Sequence, residues 1–145
     1  RLIETKCGSE YNSPSLSCKS RIELEVFFDG MARWSCRFDD DNYVNIPELI
    51  KVLSQYDETT SIAIGRLPPR FLSSIYRIYN GVRVPFHFGT ASAGVCMSRP
   101  LIQCLKDLFD KNITLSSITH DLHRNDDVAL GFMITHLCKT VITDD

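Results

Sequence analysis

An α/β fold, with a mostly parallel sheet flanked by helices, is what the sequence predicts, and three observations predict it. Segments with strand-like and helix-like apolar spacing alternate along nearly the whole chain. The 145 residues are 43% hydrophobic and 23% charged, which suits one domain with a sizeable core. Three consecutive carboxylates, Asp39, Asp40 and Asp41, follow directly on a predicted strand, and open α/β sheets keep their ligand crevice at such strand ends.

The elements follow in order. "SLSCKSRIELEVFFDG" carries apolar residues at Leu16, Ile22, Leu24, Val26, Phe27 and Phe28 between Pro14 and Gly30, and predicts a helix ending near Asp29. In "RWSCRF", Trp34, Cys36 and Phe38 alternate with Arg33, Ser35 and Arg37, the period of a strand with one buried face. Asn45 followed by Pro47 and Glu48 is an N-capping pattern for a helix to about Gln55, with Leu49, Ile50 and Leu53 as its core face. "SIAIG", "RVPFHFG" and "AGVCMS", with Gly94 near the start of the last, are three short strands. Ser98 and Pro100 open a helix through about Phe109, and residues 111–125 are a polar stretch with no helix signal. "DDVALGFMITHLC" is a helix whose first turn carries Asp126 and Asp127, where the helix dipole favours negative charge. "KTVIT" closes the pattern as a strand, and no repeat or linker interrupts residues 1–145, so a single domain is expected.

Composition narrows the function classes. A net charge of −2 with scattered Lys and Arg leaves no footprint for nucleic acid and no polybasic membrane patch. The chain opens on Arg1 and holds no apolar run as long as a signal-peptide core or a membrane span, so a processed or partial chain is expected. Six cysteines without a C-x-x-C pair favour disulfides in an oxidising compartment over metal ligation, with the connectivity open. Asn112-Ile113-Thr114 is a glycosylation sequon that agrees with a secretory route.

The aspartate triplet has a bland reading, a solvated turn or a helix cap, and a chemical one, a cation site. An EF-hand loop does not fit, because with Asp39 at position one the sixth position is Val44 and the twelfth is Ile50. A hard divalent cation held by one or two carboxylates, with phosphate oxygens and water completing its shell, does fit. For Asp126 and Asp127 the bland reading is an acidic helix start. His120 and His123 lie near that pair in sequence but are expected to be surface residues, His136 to be packed or half-exposed, and Trp34, Tyr43 and the phenylalanines to be core.

"CRFDDDNYVN" closely resembles the "C-x-x-DDDNYVN" stretch of the Fringe glycosyltransferases of glycosyltransferase family 31. The resemblance continues through Cys7 with "LSCK", "IAIG" at Ile62 to Gly65, "RVPFHFGTASAGVCMSR" at Arg83 to Arg99 and "NDDVALGF" at Asn125 to Phe132, in the family's order and across nearly the whole chain. It implies a GT-A-like mixed sheet and an inverting β-1,3-N-acetylglucosaminyltransferase. Such an enzyme uses UDP-N-acetylglucosamine and Mn2+ to extend O-linked fucose on EGF-like repeats, notably of Notch-type receptors. It also implies a place in the Golgi lumen on a membrane anchor outside this chain, or secretion.

By the resemblance, Asp41 would coordinate Mn2+, Asp39 and Asp40 would orient the donor's ribose and sugar, and Asp127 would be the general base, with Asp126 as the alternative or a substrate contact. Ser92 and Gly94 would lie close to the donor sugar. Cys7 would pair with Cys18 and Cys36 with Cys96, leaving Cys104 and Cys138 unassigned. Where the family reads "FATGGAG", this chain has "FGTASAG", so the side chains of Ala91 and Ser92 bear on donor preference. The family's first strands and a metal-binding His after the last strand have no match in residues 1–145, so a catalytic region incomplete at both ends is expected. A core 1 type β-1,3-galactosyltransferase and a non-catalytic glycan- or protein-binding module are the alternative classes.

Overall fold

The computed structural model describes residues 3–68, 74–89 and 93–144. Helix α1 (Ser13–Asp29) begins where Asn12 accepts a hydrogen bond from the Ser15 amide at 2.9 Å and ends at Gly30. Its buried stripe runs through Ser17, Ser20, Leu24 and Phe28, and the Arg99 guanidinium closes its far end by donating to the Phe27 and Phe28 carbonyls at 3.0 and 3.3 Å.

Four strands form the main sheet: β1 (Trp34–Arg37), β2 (Ala63–Gly65), β5 (Val95–Ser98) and β6 (Ile142–Thr143), in the order β1-β5-β2-β6. The α/β class and the mixed sheet hold; three of the four strands share one direction, but the reversed β5 lies between β1 and β2, so most pairings among the described residues are antiparallel. Among the described residues β1 and β2 both pair antiparallel to β5, and only β2 with β6 is parallel. The cause lies in the connections. Between β2 and β5 the described residues form no crossover helix; they contain a hairpin, β3 (Ser74–Tyr79) with β4 (Val82–His87). β1, β2 and β6 therefore run in one direction and β5 in the other. The hairpin turns at Asn80 and Gly81, both in the left-handed region with φ of 49° and 77°. That Asn-Gly turn is the signal for β3 that the strand pattern alone does not give.

The two faces of the sheet bury different sets. Val95 and Met97 face the main core with Leu101, Leu105, Leu115, Ile118 and Phe132, while Cys96 and Ile64 face a smaller cluster with Leu53. Helix α2 (Ile46–Leu53) covers the smaller side, capped by Asn45, whose side chain accepts from the Glu48 amide. Its predicted face is corrected at Ile50, which is 61% exposed, because so short a helix buries only Leu53 fully and Leu49 in part. Tyr43, expected in the core, is 95% exposed, since it follows a polar turn that lies off the sheet.

Helices α3 (Arg99–Asp110), α4 (Leu115–Leu122) and α5 (Asp126–Phe132) complete the core side. Helix α4 falls in the stretch read as polar and unstructured. Its signal is a capping box, Thr114 with Ser117, followed by buried residues at Leu115, Ile118 and Leu122. Helix α5 does not run regularly to Cys138; it passes into a π-helical segment at Met133–Leu137. The hairpin seats on α5 through Tyr79 and Phe86, whose rings meet Phe132 edge-on at 4.9 and 5.0 Å.

Three disulfides staple the domain: Cys7–Cys18, Cys36–Cys96 and Cys104–Cys138. The second joins directly opposed residues of β1 and β5, and the third resolves the open pair by tying α3 to the end of the π-helical segment. No helix among the described residues is long and apolar enough to cross a membrane.

Candidate active site

Strand β1 delivers the triplet. After Arg37 and Phe38 the backbone turns, the Asn42 amide donating to the Asp39 carbonyl at 3.1 Å. Asp39 is half-buried, and Asp40 and Asp41 are exposed at the tip of this turn. The turn reading is thus correct as local structure, yet it does not account for the side chains. Among the described residues the three carboxylates have no hydrogen-bond or ion-pair partner, and all three line a cleft of about 670 Å³.

The same cleft is lined by Asp126 and Asp127 from the start of α5, more than eighty positions away in sequence, and by Lys19, Ser20 and Glu23 from α1. The two neighbouring aspartates have opposite surroundings. Asp126 is 6% exposed and spends its Oδ2 on internal partners, accepting from the Arg37 guanidinium at 2.9 Å and from the Ser20 hydroxyl. Asp127 is half-buried at the cleft wall, with its Oδ1 accepting the Val128 amide at 2.7 Å. Burial pushes the Asp127 carboxyl above the usual carboxylate range, the charge of Asp126 adds to this, and the Val128 amide and Arg37 pull it back. Glu23 is likewise raised by burial, partly offset by Arg37, whose Nε meets its Oε2 at 2.9 Å.

Gly94 is buried at the entry to β5 with φ of +85°, and a Cβ there would sit 2.3 Å from the Phe38 ring. Glycine at this position lets β5 pass under the residue that precedes the triplet. Ser92, with Ala91, lies outside the described residues. Asn112 is exposed in the turn between α3 and α4, and Thr114, the third residue of its sequon, caps α4. His120 and His123 are exposed at the end of α4, with rings 6.0 Å apart, and do not line the triplet's cleft. His136 is half-buried, and burial lowers its pKa.

Sequence reasoning missed Arg37, Ser20, Glu23, Lys19 and Tyr11. Arg37 occupied a polar position in an alternating strand, and nothing local shows that its partners come from two helices. Tyr11, 94% exposed, stands at the rim of the cleft.

The donor set of the cleft is all hard oxygen, the chemistry that suits Mg2+ or Mn2+. Among the described residues no three His, Cys, Asp or Glu side chains converge on one point, so the chain's own contribution is one or two carboxylates of the turn. That is the usual protein share for a cation that also binds a phosphorylated substrate. Among the described residues six carboxylates and two cationic side chains line the cleft, so a diphosphate entering it needs a counter-charge. On these grounds the residues fit a divalent cation.

The sequence profile of the Fringe-like family matches residues 1–145. The Fringe glycosyltransferase of Drosophila melanogaster is 35% identical over 149 residues, covering 98% of this chain and 35% of the relative. The β-1,3-N-acetylglucosaminyltransferase lunatic fringe of Gallus gallus is 33% identical over 136 residues, covering 92% of this chain and 37% of the relative. Human β-1,3-N-acetylglucosaminyltransferase manic fringe is 37% identical over 103 residues, covering 69% and 32%. The chain therefore spans about a third of the length of the curated relatives it matches. A profile matched from first residue to last, with relatives above 30% identity along nearly all of the chain, establishes that it belongs to the Fringe-like family.

Proposed function

We propose that the protein containing this chain is an inverting, metal-dependent β-1,3-N-acetylglucosaminyltransferase that moves N-acetylglucosamine from UDP-N-acetylglucosamine to the 3-hydroxyl of O-linked fucose on EGF-like repeats of a Notch-type receptor. The observation that carries the reading is a single cleft lined by both the aspartate triplet and Asp127. Family membership supports the reaction type, and the curated relatives are themselves named for that activity.

In this reading Asp41 holds Mn2+, with Asp39 and Asp40 beside it orienting the donor's ribose and sugar. The cation, when bound, supplies the charge that neutralises the diphosphate leaving group. Asp127 takes the proton from the acceptor hydroxyl as that oxygen attacks the anomeric carbon, and no enzyme nucleophile is needed. Its half-buried setting suits the task, because burial raises its affinity for a proton. Asp126 is the weaker candidate for the base, its carboxylate being engaged by Arg37 and Ser20. Gly94 and Ser92 stand on the donor side of the reading by position in the family's motif. Disulfides and the exposed sequon at Asn112 agree with a lumenal Golgi or secreted location.

A donor panel tests the proposal. The full-length protein containing this chain, supplied with an O-fucosylated EGF-like repeat, should transfer from UDP-N-acetylglucosamine in Mn2+ and stop in EDTA. Transfer from UDP-galactose would favour the core 1 type alternative, and turnover of neither donor would favour a binding module.

A further inference from the structure

Arg37 ties together three elements at the cleft, β1, α1 and α5. It is the last residue of β1, and its guanidinium reaches Glu23 Oε2 through Nε and Asp126 Oδ2 through Nη2, each at 2.9 Å. Ser20, three residues before Glu23 and on the same face of α1, donates to that same Oδ2. The Arg37 and Asp126 side chains are only 15% and 9% exposed, so solvent and salt screen this pair little.

Helix α5 depends on such outside help. It has seven residues and no side-chain hydrogen bond at its N-cap, because Asn125 instead accepts from the Ser13 hydroxyl of α1. Its start is therefore held by α1 and by Arg37. The lever arms are short: the triplet begins two residues beyond Arg37, and Asp127 is one residue beyond Asp126. A shift in the Arg37–Asp126 contact passes almost undiminished to the spacing between the two carboxylate groups of the cleft.

We propose that Arg37 is a positioning residue that sets the placement of Asp127 against the aspartate turn, a claim that rests on the glycosyltransferase reading above. A planar guanidinium spans two carboxylates from two helices at fixed geometry, which an ammonium cannot do. In the full-length protein, Arg37→Gln is expected to lower kcat about 30- to 100-fold, the scale of a small misplacement of a reacting group, with the donor KM within about threefold. Arg37→Lys, which can still reach Asp126, is expected to recover about tenfold of that loss.

Hydrogen exchange at the amides of residues 126–129 should quicken in Arg37→Gln and be partly restored in Arg37→Lys. This readout needs no turnover, so it separates a failure of the positioning claim from a failure of the glycosyltransferase reading. Parent-like kcat in both variants overturns the proposal, as does unchanged exchange at α5. So does a donor KM that rises while kcat holds, which would put Arg37 on the donor. Should Arg37→Gln not fold, Arg37→Lys decides alone: reduced kcat at unchanged donor KM supports the proposal, and parent kinetics overturn it.

Discussion

Replacing Asp127 by Asn separates chemistry from structure with one atom's change. The amide oxygen can still accept the Val128 N–H bond seen at 2.7 Å, so the start of α5 should keep its geometry. What is lost is the group that receives the acceptor's proton, and a general base of this kind contributes about two to four powers of ten in rate. That corresponds to about 3 to 5 kcal/mol in the activation barrier. Stability should move the other way. Because the folded-state pKa of Asp127 lies above its unfolded value, the ionised carboxylate costs stability at neutral pH, and this cost fades as pH falls through the raised folded-state pKa and is gone below the ordinary aspartate value of about 3.9. Asp127→Asn should therefore match or exceed the parent's Tm at pH 7, with any gain vanishing on acidification. Initial rates with UDP-N-acetylglucosamine and an O-fucosylated repeat, alongside thermal melts at several pH values, read both effects. A loss of less than tenfold would refute the assignment of the base, as would a loss from Asp126→Asn well beyond the roughly 100-fold that weakening its Arg37 contact explains, with the fold and donor affinity intact.

The remaining predictions concern the cation, the backbone and the covalent frame. Asp41→Ala should remove Mn2+-dependent UDP-sugar binding in calorimetry without lowering Tm, because the side chain is exposed and has no partner among the described residues; unchanged affinity in Mn2+ would sink the metal assignment. Gly94→Ala should destabilise by at least about 1 to 2 kcal/mol from the left-handed backbone alone, with the clash against Phe38 adding to it, as read by chemical denaturation. Breaking Cys104–Cys138, which closes a 34-residue separation, should cost about 3 to 4 kcal/mol, and peptide mapping of the protein expressed through a secretory route should find all three bridges intact. Expressed through a secretory route, the protein should lose mass on deglycosylation, and Asn112→Gln should abolish that loss if no other site is used.

Legibility followed the range of the forces involved. Local signals carried α1, α2, α3 and the strands β1, β2 and β5, because caps, prolines and apolar spacing act within a few residues. Helix α4 and strand β3 were missed despite local signals, a Thr114–Ser117 capping box and an Asn80-Gly81 turn, since both sit in stretches whose polarity hides the period. The reversal of β5 was not legible because it depends on what connects β2 to β5, which apolar pattern alone does not reveal. At the cleft, Asp39, Asp40, Asp41 and Asp127 were legible from motif. The different environments of Asp126 and Asp127 were not, because they arise from Arg37 and Ser20, distant in sequence and unremarkable in their own elements.

The central claim is that one cleft joins a metal-held sugar nucleotide to a carboxylate base that activates a fucose hydroxyl. Its most direct test is the linkage of the product, determined by NMR after the full-length protein has acted on UDP-N-acetylglucosamine and an O-fucosylated EGF-like repeat in Mn2+. In-line attack by an activated hydroxyl without an enzyme nucleophile inverts the anomeric centre, so the account predicts N-acetylglucosamine β-linked to the 3-position of fucose. An α-linked product, or attachment at another hydroxyl, would contradict it.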